Sequence, residues 1–457
     1  MKREEQERRA RQQRMLARAL EESWYDIPSP DAEPEPPAPG PVPDPPPRQA
    51  RTAAEEPPPS RLSIRLQQME TEKRRRQRRR YLLLGLLVVV LALMMAALTG
   101  VLGNTLAMLG DVSDGIYLSI NRSTGSWPAN TNISNPLQIE ALGGGFVALD
   151  KKDVVIYTSY GGKIRSIQPS YARPALTVGN TRFAVYNRAG SELMVESRTR
   201  NLYTQKFPNP IMLCQMAPNG TLAVVTESDR YAAELLVYDP SFREDYHWYL
   251  TQREGTPVTV AFWNDSRHFA TGNITAQDGQ LCSTIYLMDT AVQDIGAQYT
   301  AELGSLILRL HWLSNRKVLA IFDDYAVILD AETGGEVARY DYEGTALQAA
   351  SVEGKHIALL VSGRSGNDLV TLDENLQVLA TAAVGQAKKV TCAENDVFLL
   401  NGDLVQRYGY DGLLRSETTY ETRPIAVLSA SETLVFYGTT VEPVAYVTQR
   451  IPAQSDK

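Results

Sequence analysis

The sequence predicts an all-β outer domain, an eight-bladed β-propeller with seven blades as the alternative. It stands behind one N-terminal transmembrane helix and a largely disordered cytosolic arm. Three observations predict this. The block KRRRQRRR, Lys73 to Arg80, is followed by thirty residues without a charge, Tyr81 to Gly110. Beyond Ile116, short strand-like runs such as RFAVY, LLVYD, STIYLMD and YAVILD alternate with turn signals and show almost no helical periodicity. Above these runs lies a longer period near 40, the spacing of four-stranded propeller blades.

The elements follow in order. Residues 1–26 form a short charged helix on the cytosolic side, with Met15, Leu16 and Leu20 giving too narrow an apolar stripe for a core. Residues 27–59 hold fourteen prolines, including two PPP runs, and read as a disordered polyproline spacer. Residues 60–80 are a basic juxtamembrane helix that Ser60 can cap. The apolar stretch 81–103 is long enough, at about 1.5 Å per residue, to cross a hydrocarbon core of roughly 30 Å. Lys73, Arg74, Arg75, Arg76, Arg78, Arg79 and Arg80 set its orientation: the N-terminus is cytosolic and the C-terminal domain extracytoplasmic. The eighty residues ahead of the span argue against a cleaved signal peptide. The expectation is a single-pass type II anchor in the cell membrane, with the lipid bilayer as its first partner.

Residues 104–115 are a linker, 116–450 the propeller and 451–457 a tail. Proline precedes an apolar run at Pro136, Pro174, Pro210, Pro257 and Pro424, and the first residue of a strand tolerates it because no ladder donor is needed there. A second marker, Asp239, Asp289, Asp330 and Asp373, follows an apolar run and opens a turn, where a carboxylate can accept from the backbone two residues on. Together they place innermost strands near residues 137, 174, 210, 257, 304, 346, 387 and 424. The last unit then has only three strands, 424–428, 433–437 and 443–448. The strand IYLSI, Ile116 to Ile120, is expected to supply the fourth and close the ring. A twelve-residue linker reaches at most about 40 Å, which would hold the closing blade near the membrane.

Composition narrows the function. Lys and Arg outnumber Asp and Glu by 18 to 14 in residues 1–80, but 28 face 39 in the remainder, so the net charge of −7 divides into +4 and −11. An acidic outer domain disfavours nucleic acid as a partner. Cys214, Cys282 and Cys392 are odd in number, widely spaced and set in strand-like runs, so they read as buried thiols and not as a disulfide framework. The histidines His247, His268, His311 and His356 show no ligand spacing, and no metal site, cofactor or catalytic residue is expected. The aromatic run FREDYHWY, Phe242 to Tyr249, is expected to pack between blades, with stacking on a sugar or a partner as the alternative.

LDAETGGEVARY, Leu329 to Tyr340, resembles the repeat of quinoprotein-type propellers, in which Asp-x-x-Thr-Gly marks the turn between two strands. Tyr340 stands in the place of that repeat's tryptophan, so the resemblance implies no quinone cofactor. The domain order and residues 115–450 resemble a family of clostridial membrane-anchored propeller proteins of uncharacterised function. That resemblance implies a fold and a location.

Arg173, Arg253, Arg364 and Arg423 fall on loops expected on one face of the ring and are the candidate ligand-binding residues, suited to a carboxylate or phosphate. The leading functional expectation is a non-enzymatic binding or scaffold module of a bacterial cell envelope, engaging an extracytoplasmic protein or a wall component. The alternatives are a lyase or hydrolase acting on wall glycan through the propeller channel, and a transmembrane sensor. Converging titratable groups at the channel mouth would favour the enzyme; a mouth of small apolar residues would exclude it.

Overall fold

The computed structural model describes residues 125–444. They form eight four-stranded antiparallel sheets, and the seven-bladed alternative falls. Blade 1 consists of Gln138–Leu142, Gly145–Leu149, Val154–Tyr157 and Lys163–Ile167, running from innermost to outermost strand. The inner strands of blades 2 to 8 are Pro174–Val178, Ile211–Met216, Thr256–Phe262, Ile307–Ser314, Leu347–Glu353, Lys389–Cys392 and Pro424–Ser429. Each begins within three residues of its expected position.

The second and third strands are apolar on both faces because each sheet is covered by a blade on either side. GFVAL and VVIY of blade 1 and LAVVT of blade 3 are buried at every residue. Alternation then distributes successive side chains to different neighbours. In blade 3, Val224 packs into the cluster shared with Ala184 and Leu193 of blade 2, while Val225 packs against Phe269 and Tyr286 of blade 4. No common centre exists; the core is a set of layers between blades.

Closure differs from the expectation. The fourth position of blade 8 is held by Ala129–Asn130, which pair with Val441 and Thr440. The third strand of that blade is Thr440–Pro443, earlier than the expected 443–448. Ile116 to Ile120 lies outside the described residues, as do the arm, the basic block Lys73 to Arg80, the span and the tail. A two-residue strand has no periodicity to read, whereas IYLSI carries an alternating pattern. Packing reinforces the short ladder. The Tyr157 hydroxyl of blade 1 donates to the Asn130 carbonyl at 2.8 Å. Phe146 stacks on Tyr157 at 5.0 Å and meets Phe436 of blade 8 edge-on at 5.1 Å.

The four marker aspartates do serve the turns into the outer strands. Asp239 accepts from the Ser241 and Arg243 amides at 2.9 and 2.8 Å, and Asp373 accepts from those of Asn375 and Gln377, both at 2.8 Å. Asp289 and Asp330 accept in the same way. Blades 1 and 2 use Thr158 and Ser197 for this role, where a hydroxyl replaces the carboxylate. Asp239 is buried and Asp330 is not. Replacing Asp239 by alanine should therefore cost about 1–3 kcal/mol in a urea titration, since it removes the acceptor of two turn amides and the partner of Arg243. The same change at Asp330 should cost less, because water reaches its turn.

All three cysteines are free and buried. Burial pushes the Cys214 thiol up strongly and that of Cys392 to about 11. A thiolate-selective reagent at pH 8 is expected to leave both unmodified in the folded protein and to modify them in urea. Rapid native labelling of either would contradict their placement.

Candidate functional site

The inner strands are edge strands, so their channel-side amides and carbonyls lack ladder partners. Side chains of the neighbouring blade supply many of them. Gln138 donates to the Leu176 carbonyl at 3.2 Å and accepts from its amide at 2.7 Å. Thr177 accepts from the Met216 amide, Ser351 from the Cys392 amide, and Lys389 donates to the Ile425 carbonyl. The Trp312 indole donates to the Ala261 carbonyl at 3.0 Å. These bonds lace consecutive blades around the channel.

Strand order gives the ring two different faces. Connections between blades, and between second and third strands, lie on one, here the inter-blade face. Hairpins joining first to second and third to fourth strands lie on the other, the hairpin face. Near the inter-blade face, the inner strands of blades 3, 4, 5, 6 and 8 each carry a β-bulge at the same place, leaving Met212, Val258, Leu308, Gln348 and Ile425 outside the ladder. Val258 and Leu308 are exposed. This end of the inner strands is mostly apolar.

The hairpin end is charged. A cavity of about 610 Å³ opens there, lined among others by Glu140, Arg309, His311, Glu353, Trp263 and Trp312. Glu140 and Arg309 come from blades 1 and 5, opposite one another in a ring of eight. Glu140 is exposed to the channel cavity yet surrounded by protein. That restricted hydration holds its carboxyl above the usual range, and Arg309 offsets part of the rise. Burial first, and Arg309 second, push His311 down to about 4. Burial raises Glu353, and the nearby Glu394 adds to the rise. The arrangement can hold a polar ligand between a guanidinium and carboxyls that accept or donate a proton, against indole walls. Among the described residues, no group of three or more His, Cys, Asp or Glu side chains is placed to hold a metal ion.

The model of the family DUF5711 matches residues 121–444. The chain belongs to this family of unknown function. The match starts before the closing strand Ala129–Asn130 and ends with the described residues. A comparison with curated proteins gave no match. Solved structures share the fold with the DUF5711 propeller. The computationally designed protein Ika8 is 12% identical, with a TM-score of 0.52, covering 70% of this chain and 98% of its own. The C-terminal WD40 domain of Sif2 is 12% identical, with a TM-score of 0.52, covering 70% and 99%. BamB from Moraxella catarrhalis is 12% identical, with a TM-score of 0.49, covering 70% and 99%.

The DUF5711 propeller does place the four candidate arginines on one face, but it does not bring them together. Arg173 lies between blades 1 and 2, Arg253 between 3 and 4, Arg364 in blade 6 and Arg423 between 7 and 8. All are exposed on the inter-blade face, opposite the charged cavity. FREDYHWY divides as its alternation requires. Tyr246 and Trp248 pack against Phe269 and Tyr286 of blade 4, while His247 and Tyr249 stack on the other side at 4.2 Å, with Tyr231 beside Tyr249. The channel residues were missed by sequence reasoning. Their signal is a charge inside an otherwise apolar inner strand, as in QIEAL and ILRLHWLS.

Proposed function

We propose that this DUF5711 chain is a membrane-anchored binding module of a bacterial cell envelope, and that its ligand enters the hairpin end of the channel. The observation that carries this reading is the convergence of Glu140, Arg309, His311 and Glu353 on one cavity with Trp263 and Trp312 in its walls. The basic block and apolar span ahead of the propeller, and the resemblance to clostridial anchored propellers, support an extracytoplasmic location.

One observation favours an enzyme as the second reading. Glu140 and Glu353 both sit in the cavity with raised carboxyl ranges, the condition for a general acid in lyase or hydrolase chemistry on glycan. The test uses the purified full chain in detergent with soluble wall fragments, following indole fluorescence for binding and chromatography for products. Binding is expected, weakened at least about tenfold by Arg309→Ala, because loss of a charge-assisted contact exceeds roughly 1.4 kcal/mol. Turnover abolished by Glu140→Gln would make it an enzyme. No fluorescence change with any wall fragment would overturn the channel reading.

A further inference from the structure

A second concavity opens on the hairpin face, outside the channel, between blades 4 and 5. It encloses about 870 Å³. Trp263 and Trp312 border it and also border the channel cavity, so one indole wall separates the two. Its opposite side is the connection at residues 290–296, which is longer than its counterparts in blades 1 to 3 and 5 to 7. That segment presents two aliphatic side chains to solvent, Val292 at 47% and Ile295 at 38% exposure, although Leu287 and Met288 just before it are buried. An insertion that displays aliphatic groups over a cavity differs from one that only lengthens a turn.

The charges around this groove are unbalanced. Asp265, Asp289, Asp294 and Glu332 line it, against His268 and Arg316 in the lining and Arg267 bonded to Asp289. Three of the carboxylates are held in position: Asp265 by His268, Asp289 by a two-point contact with Arg267, and Glu332 by Arg316 at 3.0 Å. Asp294 makes no hydrogen bond or ion pair with the described residues. The groove thus joins an apolar wall to a set of carboxylates in which Asp294 alone has no ion-pair partner among the described residues, on a domain whose own net charge repels anions.

We propose that this groove docks an extended segment of a partner protein in which basic side chains alternate with aliphatic ones. Aliphatic groups bury against Val292, Ile295 and Trp263, a lysine or arginine meets Asp294, and the flanking cations face the domain's overall negative charge. The inference rests on the reading of the chain as a binding module but not on the channel, and the two fail separately.

The test is fluorescence anisotropy of a labelled heptapeptide, Lys-Leu-Lys-Leu-Lys-Leu-Lys, with the full chain in detergent micelles. The double variant Val292→Ser and Ile295→Ser is measured in the same micelles, so that detergent binding cancels. Both side chains are exposed, and the ring does not depend on them. Binding is expected to weaken at least about tenfold in that variant, and similarly for the wild type with Lys-Ser-Lys-Ser-Lys-Ser-Lys. Asp294→Asn should lower affinity several-fold at low salt and less at high salt. Arg309→Ala, which disables the channel, should keep the peptide affinity; if peptide binding persists while no wall fragment binds, the groove stands and the channel reading falls. Equal binding by wild type and the serine variant, or equal binding of both peptides, would overturn the proposal in favour of diffuse attraction to an acidic surface. A preference for soluble glycan over the leucine peptide at this groove would overturn it as well.

Discussion

Replacing Phe146 by alanine is expected to cost about 3–5 kcal/mol and to open the ring at the junction of blades 8 and 1. Phe146 is fully buried, and its ring lies between Tyr157 and Phe436. The backbone contribution at this junction is small, because Ala129–Asn130 offers only two ladder pairs. The side chains of this seam therefore carry a load that four full-length strands share elsewhere. Urea titrations followed by tryptophan fluorescence would measure it, with Phe183→Ala between blades 1 and 2 as a companion of equal burial. A loss below about 1 kcal/mol at Phe146 would mean that the seam is held by something other than this cluster. A chain starting at Pro136, without the closing strand, should behave like Phe146→Ala or worse.

The second large effect is on acid stability. His311 has a folded range of about 4 against 6.5 for a free histidine, so the folded state keeps it neutral where the unfolded chain is protonated. The contribution is complete above pH 6.5 and is lost as pH falls from 6.5 through 4. It amounts to roughly 3 kcal/mol at most, with channel water screening part of it. Glu140 and Glu353 have the opposite sign. Their raised carboxyl ranges favour folding below about pH 4.5, and that contribution is lost as pH rises through the folded values. His311→Gln should thus flatten the stability profile between pH 6.5 and 4, while Glu353→Gln should stabilise at pH 8 and change little at pH 4. Parallel profiles for wild type and His311→Gln would show that His311 charges as readily folded as unfolded.

The ring was legible because its signals are local and repeated. A proline at a strand start and an aspartate at a turn act through the backbone of their own few residues, so five prolines and four aspartates at a common period reinforce one another. Closure was not legible, because Ala129–Asn130 earns its place by packing against Tyr157 and Thr440, residues far along the chain. IYLSI offered a better strand pattern and no way to weigh that packing. The site failed for a related reason. Arg173, Arg253, Arg364 and Arg423 were assigned to the correct face, yet position around the ring depends on blade number, and at least one whole blade separates each from the next. Glu140 and Arg309 lie 169 positions apart in sequence (309 minus 140), and only the closed ring sets them opposite each other.

The five bulges at the other end of the channel have a bearing on how such a ring can diversify. Met212, Val258, Leu308, Gln348 and Ile425 occupy a repeated position yet differ in size and polarity. Met212 also packs against the layer between blades 3 and 4, and Gln348 donates to Ser362, so those two are tied to the fold. Val258 and Leu308 are exposed and outside the hydrogen-bonded register, so exchanging their side chains alters the rim without disturbing strand alignment. A library randomised at those two sites should stay folded while sampling many rim chemistries.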